Sequence, residues 1–428
     1  MSGSLKRLAF GLVLSAALMG GGPSHAIGAT ITIACGAVGI FHDLCRAGAE
    51  RWAAETGNAV EFVQSPGSTS DRLALFQQLL AAGAADIDVI EVDVIWPGIL
   101  GRYFIDLGAY VDAATVAAHF PVFIENNTVD GELKALPWFS DVGLLYYRKD
   151  LLEAHGFSVP QTWAELAEAA RAVVAAERAS GSARMTGFVF QGKAYEGLTC
   201  NALEWIDSFG GGQILAEDGS VTVNNPKAVR ALETVASWIG VIAPRGVLGY
   251  MEEDARGVFQ SGNAVFMRNW PYAWALAQAP DSPVKDKVGV APLPAGRPDG
   301  QHSGTLGGAG LAVSKYSPHP EIAADLVRYL ASPPLQAERA IRGAINPTIP
   351  ALYEDPEVLK AQPFLADLLP ILEAAVARPS QIAGERYNQL STIFWNVVHD
   401  TLAGRTTAET GLAAAERHLQ RIRFRDGW

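Results

Sequence analysis

The succession of strand, helix, strand, helix and strand near the beginning of the chain most constrains its fold. The strands are rich in β-branched residues, and the helices carry apolar residues at helical spacing. We predict strands at 29–38, 58–64 and 86–95, a helix at 43–56, and a second helix capped by Ser70 or Asp71 that ends at Leu80. This order predicts a parallel α/β domain, whose ligands bind outside the carboxyl ends of the strands.

Polar and aromatic residues stand where two of these strands end. Asp93 lies near the end of the third strand and Trp96 just beyond it, and Thr69 lies with Ser68 and Ser70 after the second. Asp93 and Thr69 are therefore candidate ligand-binding residues. Capping and turn formation explain Thr69 and the two serines equally well.

The segment from Pro137 to Leu152 contains a second candidate. Its apolar run from Val142 to Tyr147 predicts a buried strand. Trp138, Phe139 and Asp141 precede the run. Aromatic rings stack on the C–H faces of sugars and a carboxylate accepts hydrogen bonds from hydroxyls, so these residues suit a cavity for a polyol. The alternative is an aromatic pair that merely packs in the core.

The α/β pattern then starts again. Thr162 is predicted to cap an alanine-rich helix that ends near Ser180, and residues 186–192 predict a strand. From Pro320 onward the chain is predicted to be largely helical. Two α/β halves joined by more than one crossing predict a cleft between two lobes, where small-ligand sites usually lie.

The amino terminus has the pattern of a secretory signal. Lys6 and Arg7 precede an apolar run that ends at Met19, and the small residues Ser24 and Ala26 follow it. We predict a signal peptide over residues 1–26, cleaved after Ala26, and an exported, periplasmic mature protein. The apolar run is too short for a membrane-spanning helix.

Charge and motif content exclude several classes of function. The net charge of −12 argues against nucleic acid or an anionic membrane as a partner. Nucleotide-binding, nucleophile-elbow and zinc-protease motifs are absent, and the histidines lack metal-ligand spacing, so no cofactor, metal or catalytic residue is expected. Cys35, Cys45 and Cys200 allow one disulfide at most, and buried free thiols are an equal alternative.

Several longer segments together are similar to a known family. These are DVIEVDVIWPG, PWFSDVGLLYYRKDLL, YEGLTCNALEWIDSFGG, FMRNWPYAW, LGG, LASPPLQAERA and ARPSQIAGERYNQLSTIFW. With the signal peptide, they resemble the family 1 extracellular solute-binding proteins, the binding components of ABC importers, and most closely the trehalose/maltose-binding branch.

The resemblance implies a two-lobed α/β fold, the type II periplasmic binding protein fold, with hinge crossings between the lobes. It implies a monomer that closes over a sugar, expected to be a disaccharide such as trehalose or maltose, and docks on a transmembrane permease. We expect residues 27–140 and 310–345 in the amino-terminal lobe, and residues 141–309 and 346–428 in the carboxy-terminal lobe.

The resemblance also implies ligand-binding residues. Hydroxyl groups are expected to bind Asp93, Phe139 and Asp141, and a sugar ring is expected to stack on Trp270 with Tyr272 nearby. Gly307 and Gly308 are expected to offer backbone amides, and Arg378 to reach the ligand.

Two positions depart from the branch. Ile40, Phe41 and His42 stand where the branch usually has an acid, and Ala309 stands in place of a tryptophan. Phe41 is a candidate to restore stacking from the other side. Loss of a polar partner changes ligand preference. The open alternatives are a polyol or an anionic sugar derivative bound by Arg378, and, more remotely, a glycoside hydrolase that uses Asp93 and Asp141.

Overall fold

The structure is a computed structural model that describes residues 28–36, 39–373 and 375–428. The predicted signal peptide lies outside the described residues. Within them, none of the helices is both long enough and apolar enough to cross a membrane.

Most strands belong to two sheets. The strands are β1 (Thr30–Ala34), β2 (Ala59–Phe62), β3 (Val89–Asp93), β4 (Thr128–Val129), β5 (Glu132–Leu133), β6 (Leu136–Val142), β7 (Leu144–Arg148), β8 (Thr186–Val189), β9 (Ala264–Asn269), β10 (Val288–Pro292) and β11 (Leu306–Val313). One sheet has five strands in the order β2-β1-β3-β11-β6, another has four in the order β10-β7-β9-β8, and β4 pairs with β5.

The helices cover the faces of these sheets. In chain order they are α1 (Gly39–Thr56), α2 (Thr69–Ala81), α3 (Trp96–Leu100), α4 (Ala113–Ala117), α5 (Pro121–Asn127), α6 (Lys149–Ala154), α7 (Trp163–Ala179), α8 (Glu196–Ser208), α9 (Pro226–Ala236), α10 (Glu252–Gln260), α11 (Ala273–Ala277), α12 (Pro320–Leu330), α13 (Pro333–Gly343), α14 (Pro356–Ala361), α15 (Leu365–Glu373), α16 (Ser380–Ala383), α17 (Tyr387–Leu402) and α18 (Ala408–Asp426).

The predicted α/β class and its initial strand order are confirmed. Strand β1 pairs in parallel with both β2 and β3. Strand β11, more than 200 residues farther along the chain, lies antiparallel between β3 and β6. The five-stranded sheet is therefore mixed, and its centre is filled by a strand from late in the chain.

Apolar side chains are buried against both sheets. Ile33 and Leu311 are fully buried in the core against the five-stranded sheet. Near the four-stranded sheet, the rings of Trp163, Phe188 and Trp238 pack within 5.6–6.1 Å of one another. Burial of this apolar surface drives the formation of both layers.

Three chain segments run side by side between the sheets. The predicted strand from Val142 to Tyr147 is interrupted at Gly143, where the chain leaves β6 and enters β7 of the other sheet. The Gly143 amide donates to the carbonyl of Thr305 at 3.3 Å, and the Leu306 amide donates to Val376 at 2.9 Å. The two-lobed fold thus has adjacent, hydrogen-bonded crossings, while the predicted residue boundaries of the lobes remain predictions.

Two predicted helix starts differ from the structure, and a third agrees. Helix α1 begins at Gly39, not at Asp43, and Ser68 rather than Ser70 or Asp71 caps α2 by accepting from the Asp71 amide at 3.4 Å. Ser68, Ser70 and Asp71 are all residue types that cap helices, so the local sequence does not choose among them. Thr162 does cap α7, with a reciprocal capping box to Glu165.

The cysteines form one disulfide. Cys35, just after β1, is bonded to Cys45 in α1, and Cys200 is a buried free thiol. The bridge fastens the loop after β1 to the helix that follows it.

Candidate functional site

A cavity of about 480 Å³ is lined by residues from both sheets and from the helices that follow their strands. All the residues predicted to bind ligand lie in its wall: Phe41, Thr69, Asp93, Phe139, Asp141, Trp270, Tyr272, Gly307, Gly308 and Arg378. The fold therefore brings together residues that are up to 337 positions apart in the chain, counted from Phe41 to Arg378. Their contact with a ligand remains a prediction.

Strand β6 supplies one wall. Side chains alternate between the two faces of a strand, so Phe139 and Asp141 share the cavity face. Trp138 points the other way, is 1% exposed, and packs 4.8 Å from the Arg339 guanidinium carbon, measured from the ring centroid. The expectation that Trp138 lines the cavity was wrong, because consecutive side chains on a strand point to opposite faces and Phe139 takes the cavity face.

Asp141 is a buried acid with an unused oxygen. Its Oδ1 atom has no hydrogen-bond partner within the protein. Burial raises the pKa of this carboxyl well above its ordinary value, and the positive charge of Arg268 only partly opposes that effect. A carboxyl held in this way can exchange hydrogen bonds with ligand hydroxyls.

Aromatic rings approach one another across the cavity. The centroid of Phe41, on α1, lies 5.0 Å from that of Phe139 and 5.5 Å from that of Tyr272, which follows β9. Phe41 thus occupies the region where the loop after β1 meets the other sheet. The hydroxyl of Tyr272 donates to Glu253 at 2.6 Å, which fixes the ring.

Trp270 stands beside the glycines of β11. A Cβ atom at Gly307 would lie 2.9 Å from Cζ3 of the indole and 3.2 Å from Cβ of Asp141, so only a glycine leaves the ring this position. The indole Nε1 donates to Glu252 at 3.4 Å. Ring and carboxyl therefore share one wall of the cavity.

Arg378 is held by two carboxylates. It donates to Asp93 at 2.8 Å and to Glu196 at 3.0 Å, and its side chain is 2% exposed. Although burial opposes the charge, the neighbouring carboxylates, Asp93 first, raise the pKa of Arg378. Arg378 thus connects the end of β3 to the start of α8, and its charge is already compensated.

Sequence reasoning missed several residues of the cavity wall. Glu196 accepts hydrogen bonds from Tyr387 at 2.5 Å and from Ser391 at 2.6 Å, as well as from Arg378. The cavity wall also includes Arg72, Glu91, Cys200, Glu252, Glu253 and Arg256. Glu91 lies two residues before Asp93 on β3, so the alternation of side chains along a strand could have placed both carboxylates on one face.

Glu91 places a carboxylate beside the loop after β1, where this chain lacks the acid that the branch usually carries. Its carboxylate accepts a hydrogen bond from the backbone amide of Gly36 in that loop and an ion pair from Arg72 at 3.3 Å. An acid is therefore present beside the loop, contributed by β3.

The cavity wall contains the free thiol of Cys200. Burial raises the pKa of the Cys200 thiol to about 12, so the group is not a nucleophile near neutral pH. Across the part of the chain that the structure describes, no cluster of three or more histidine, cysteine, aspartate or glutamate residues could hold a metal ion.

Comparison with known proteins agrees with this fold. Residues 45–337 match the family model "Bacterial extracellular solute-binding protein". A probable ABC transporter-binding protein of Deinococcus radiodurans is 49% identical over 425 residues, which covers 99% of this chain and 100% of the relative.

Solved structures of sugar-binding proteins have the same fold as this chain. Maltose-bound MalE3 of T. maritima is 40% identical, with a TM-score of 0.87 that covers 92% of this chain and 100% of that one. The GacH receptor of Streptomyces glaucescens is 24% identical, with a TM-score of 0.81 over 92% of this chain and 98% of its own, and supports the fold alone.

These matches exclude the glycoside hydrolase alternative, since the relatives are solute-binding proteins. The chain belongs to the bacterial extracellular solute-binding proteins, a family of exported proteins that bind the substrates of ABC importers and are not enzymes.

Proposed function

We propose that the chain is the periplasmic sugar-binding component of an ABC importer, and that it binds a disaccharide such as maltose or trehalose in the cavity. Closure of the two lobes traps the sugar, and the closed monomer delivers it to the transmembrane permease. The signal peptide is removed after Ala26. The disulfide between Cys35 and Cys45 supports an oxidising compartment.

One observation carries the choice of a sugar. The cavity combines aromatic rings, among them Phe139 and Trp270, with the unpartnered carboxyl of Asp141. Rings suit the C–H faces of a pyranose, and the carboxyl suits its hydroxyls. The maltose-bound relative, at 40% identity, supports a disaccharide of this kind.

The charges of the wall argue against an anionic sugar derivative. Arg378 is paired with Asp93 and Glu196. The two other arginines of the wall are also engaged, Arg72 with Glu91 at 3.3 Å and Arg256 with Glu253 at 2.5 Å. An anionic ligand would have to compete with these carboxylates for the three cations. A neutral sugar meets no such opposition.

A thermal-shift and calorimetry screen tests the proposal. Maltose and trehalose are compared with mannitol and with glucose 6-phosphate. A ligand at 100 times its Kd stabilises the native state by about 2.7 kcal/mol, so a bound sugar raises the Tm visibly. We expect a disaccharide to give the largest shift. A larger shift with mannitol would favour the polyol alternative.

Site variants locate the binding. We expect Trp270→Ala and Asp141→Ala each to weaken disaccharide affinity about tenfold, because each removes a contact of roughly 1–2 kcal/mol from the wall. Phe424→Ala is the control, since Phe424 is 95% exposed and does not line the cavity. Unchanged affinity in both site variants would refute the proposed site.

A further inference from the structure

A buried ion pair lies behind the cavity wall. Glu204 on α8 and Arg268 on β9 have side chains that are 0% and 1% exposed. The Arg268 Nε atom donates to Oε2 of Glu204 at 2.9 Å, and its Nη2 donates to Oε1. Burying two charges carries a large desolvation penalty, so such a pair is weak evidence of a role in stability alone.

The glutamate touches two of the chain crossings. Its Oε1 atom accepts a hydrogen bond from the backbone amide of Thr305 at 3.1 Å. A Cβ atom at Gly143 would lie 1.9 Å from the same oxygen and 2.6 Å from Nη2 of Arg268. Residue 143 must therefore lack a side chain for the carboxylate to reach Thr305.

The arginine touches the cavity wall. Its guanidinium carbon lies 3.9 Å from the centroid of the Trp270 ring, a close cation–π contact. Its Nη1 donates to the side chain of Gln191 at 3.2 Å, which fixes the plane of the group. The position of the Trp270 ring therefore depends on the position of Arg268.

We propose that Glu204 and Arg268 are positioning residues that couple the hinge to the sugar-stacking ring. The carboxylate joins the crossings at residues 143 and 305, and the guanidinium carries their position to Trp270. A change of hinge angle displaces the ring, and a sugar stacked on the ring favours one hinge angle. This inference rests on the proposed sugar-binding function.

A double-mutant cycle tests the coupling. Gly143→Ala drives a methyl group into the Glu204 carboxylate, and Glu204→Asp draws that carboxylate back. We expect Gly143→Ala to weaken maltose affinity about tenfold, and the double variant to recover most of that loss, because contacting residues are not additive. X-ray scattering of the sugar-free proteins should show an altered radius of gyration for Gly143→Ala and a restored one for the double variant.

A matched control separates coupling from packing damage. Gly187 lies in β8 of the four-stranded sheet, which also contains Arg268, and it is closely packed as well. A Cβ atom there would lie 2.8 Å from Cβ of Ala170. Gly187→Ala should lower the Tm and leave maltose affinity unchanged. Losses that simply add for Gly143→Ala and Glu204→Asp would overturn the coupling.

A second variant serves if Gly143→Ala does not fold. Arg268→Lys keeps a positive charge for Glu204 and removes the planar group over the indole. We expect a shift in Trp270 emission, obtained by subtracting the spectrum of the corresponding Trp270→Phe protein, and weaker maltose binding. Unchanged emission and affinity would overturn the proposal, whereas a wild-type protein that binds none of the tested sugars would refute the function on which it rests.

Discussion

At the scale of single residues, the buried carboxyl of Asp141 makes the stability of the protein depend on pH. Burial holds the pKa of its carboxyl well above the ordinary value of 3.8. Above about pH 4 the unfolded chain loses this proton while the folded protein keeps it. Unfolding then releases a proton, so the free energy of unfolding falls as the pH rises through this window.

An Asp141→Asn variant should therefore be more stable than the wild-type protein at neutral pH in the absence of sugar, because its side chain has no proton to lose. It should also bind maltose more weakly, since the amide replaces an acidic hydrogen-bonding group. Urea unfolding between pH 4 and pH 7, with calorimetry at pH 7, measures both effects. The exposed residue Asp281 provides the control Asp281→Asn, and a stability gap that does not widen with pH would contradict the prediction.

At the scale of secondary-structure elements, two neighbouring glycines of β11 have different structural roles. On β11 the neighbouring residues Gly307 and Gly308 are both required, for different reasons. Gly307 makes room for Trp270, whereas Gly308 has φ +115°, and a Cβ atom there would lie 2.4 Å from the carbonyl oxygen of Phe139. The first glycine shapes the cavity, and the second allows β11 to pair with β6.

The two alanine substitutions should therefore differ. Gly308→Ala should lower the Tm by several degrees because it strains the backbone by roughly 1–3 kcal/mol. Gly307→Ala should mainly weaken maltose binding by displacing the indole. Thermal unfolding and calorimetry on both variants make the comparison, and equal losses of stability would show that Gly307 is structural as well.

Helix α7 offers a prediction at a distance from the site. The side chain of Thr162 accepts from the Glu165 amide at 3.3 Å, and Glu165 bonds back to the Thr162 amide. Thr162→Ala should lower the free energy of unfolding by about 1 kcal/mol and leave sugar affinity unchanged. Thr162→Ser keeps the cap and is the control. A loss of affinity in Thr162→Ala would mean that α7 moves with the cavity.

Local sequence patterns predicted the first strands and the start of α7, but they did not predict where one apolar run divides between two sheets. The Thr162 cap and the order of β1 to β3 follow from local chemistry. Val142 to Tyr147 form one apolar run, and nothing in that run shows that its ends belong to different sheets. A glycine at position 143, where the run breaks, leaves room for the distant Glu204 carboxylate, a contact that a local pattern cannot contain.

At the scale of the whole molecule, a buried histidine makes the protein sensitive to acid. His119 is 3% exposed, and its Nδ1 lies 2.8 Å from Oγ1 of Thr348. Burial lowers the pKa of His119 from 6.5 to about 4. Between these values the unfolded chain binds a proton that the folded protein does not, so stability falls as the pH falls.

His119→Gln should remove this acid sensitivity. At about 1.4 kcal/mol per pH unit, the wild-type protein should lose roughly 3 kcal/mol between pH 6.5 and pH 4 on this account, and the variant should lose less. Urea unfolding at several pH values measures the slope. His319→Gln, at an exposed position, is the control. Parallel slopes for the wild-type protein and His119→Gln would contradict the prediction.

The cavity-wall residues to which the family resemblance assigns a role were predicted, whereas a residue whose role depends on a long-range ion pair was missed. Asp93, Trp270 and Arg378 stand in motifs that the family resemblance supplies. Glu196 also stands in one of these motifs, but the resemblance assigns it no role, because its role depends on pairing with Arg378, a residue 182 positions away. Charge compensation of this kind exists only in the folded chain.

The place of β11 in the five-stranded sheet has a consequence for biogenesis. Strands β3 and β6 have no direct pairing with each other and are joined only through β11, which ends at Val313. A nascent chain that has emerged only as far as residue 300 exposes two unpaired strand edges and cannot complete this layer. The five-stranded sheet can therefore be completed only after the chain has been synthesised through β11.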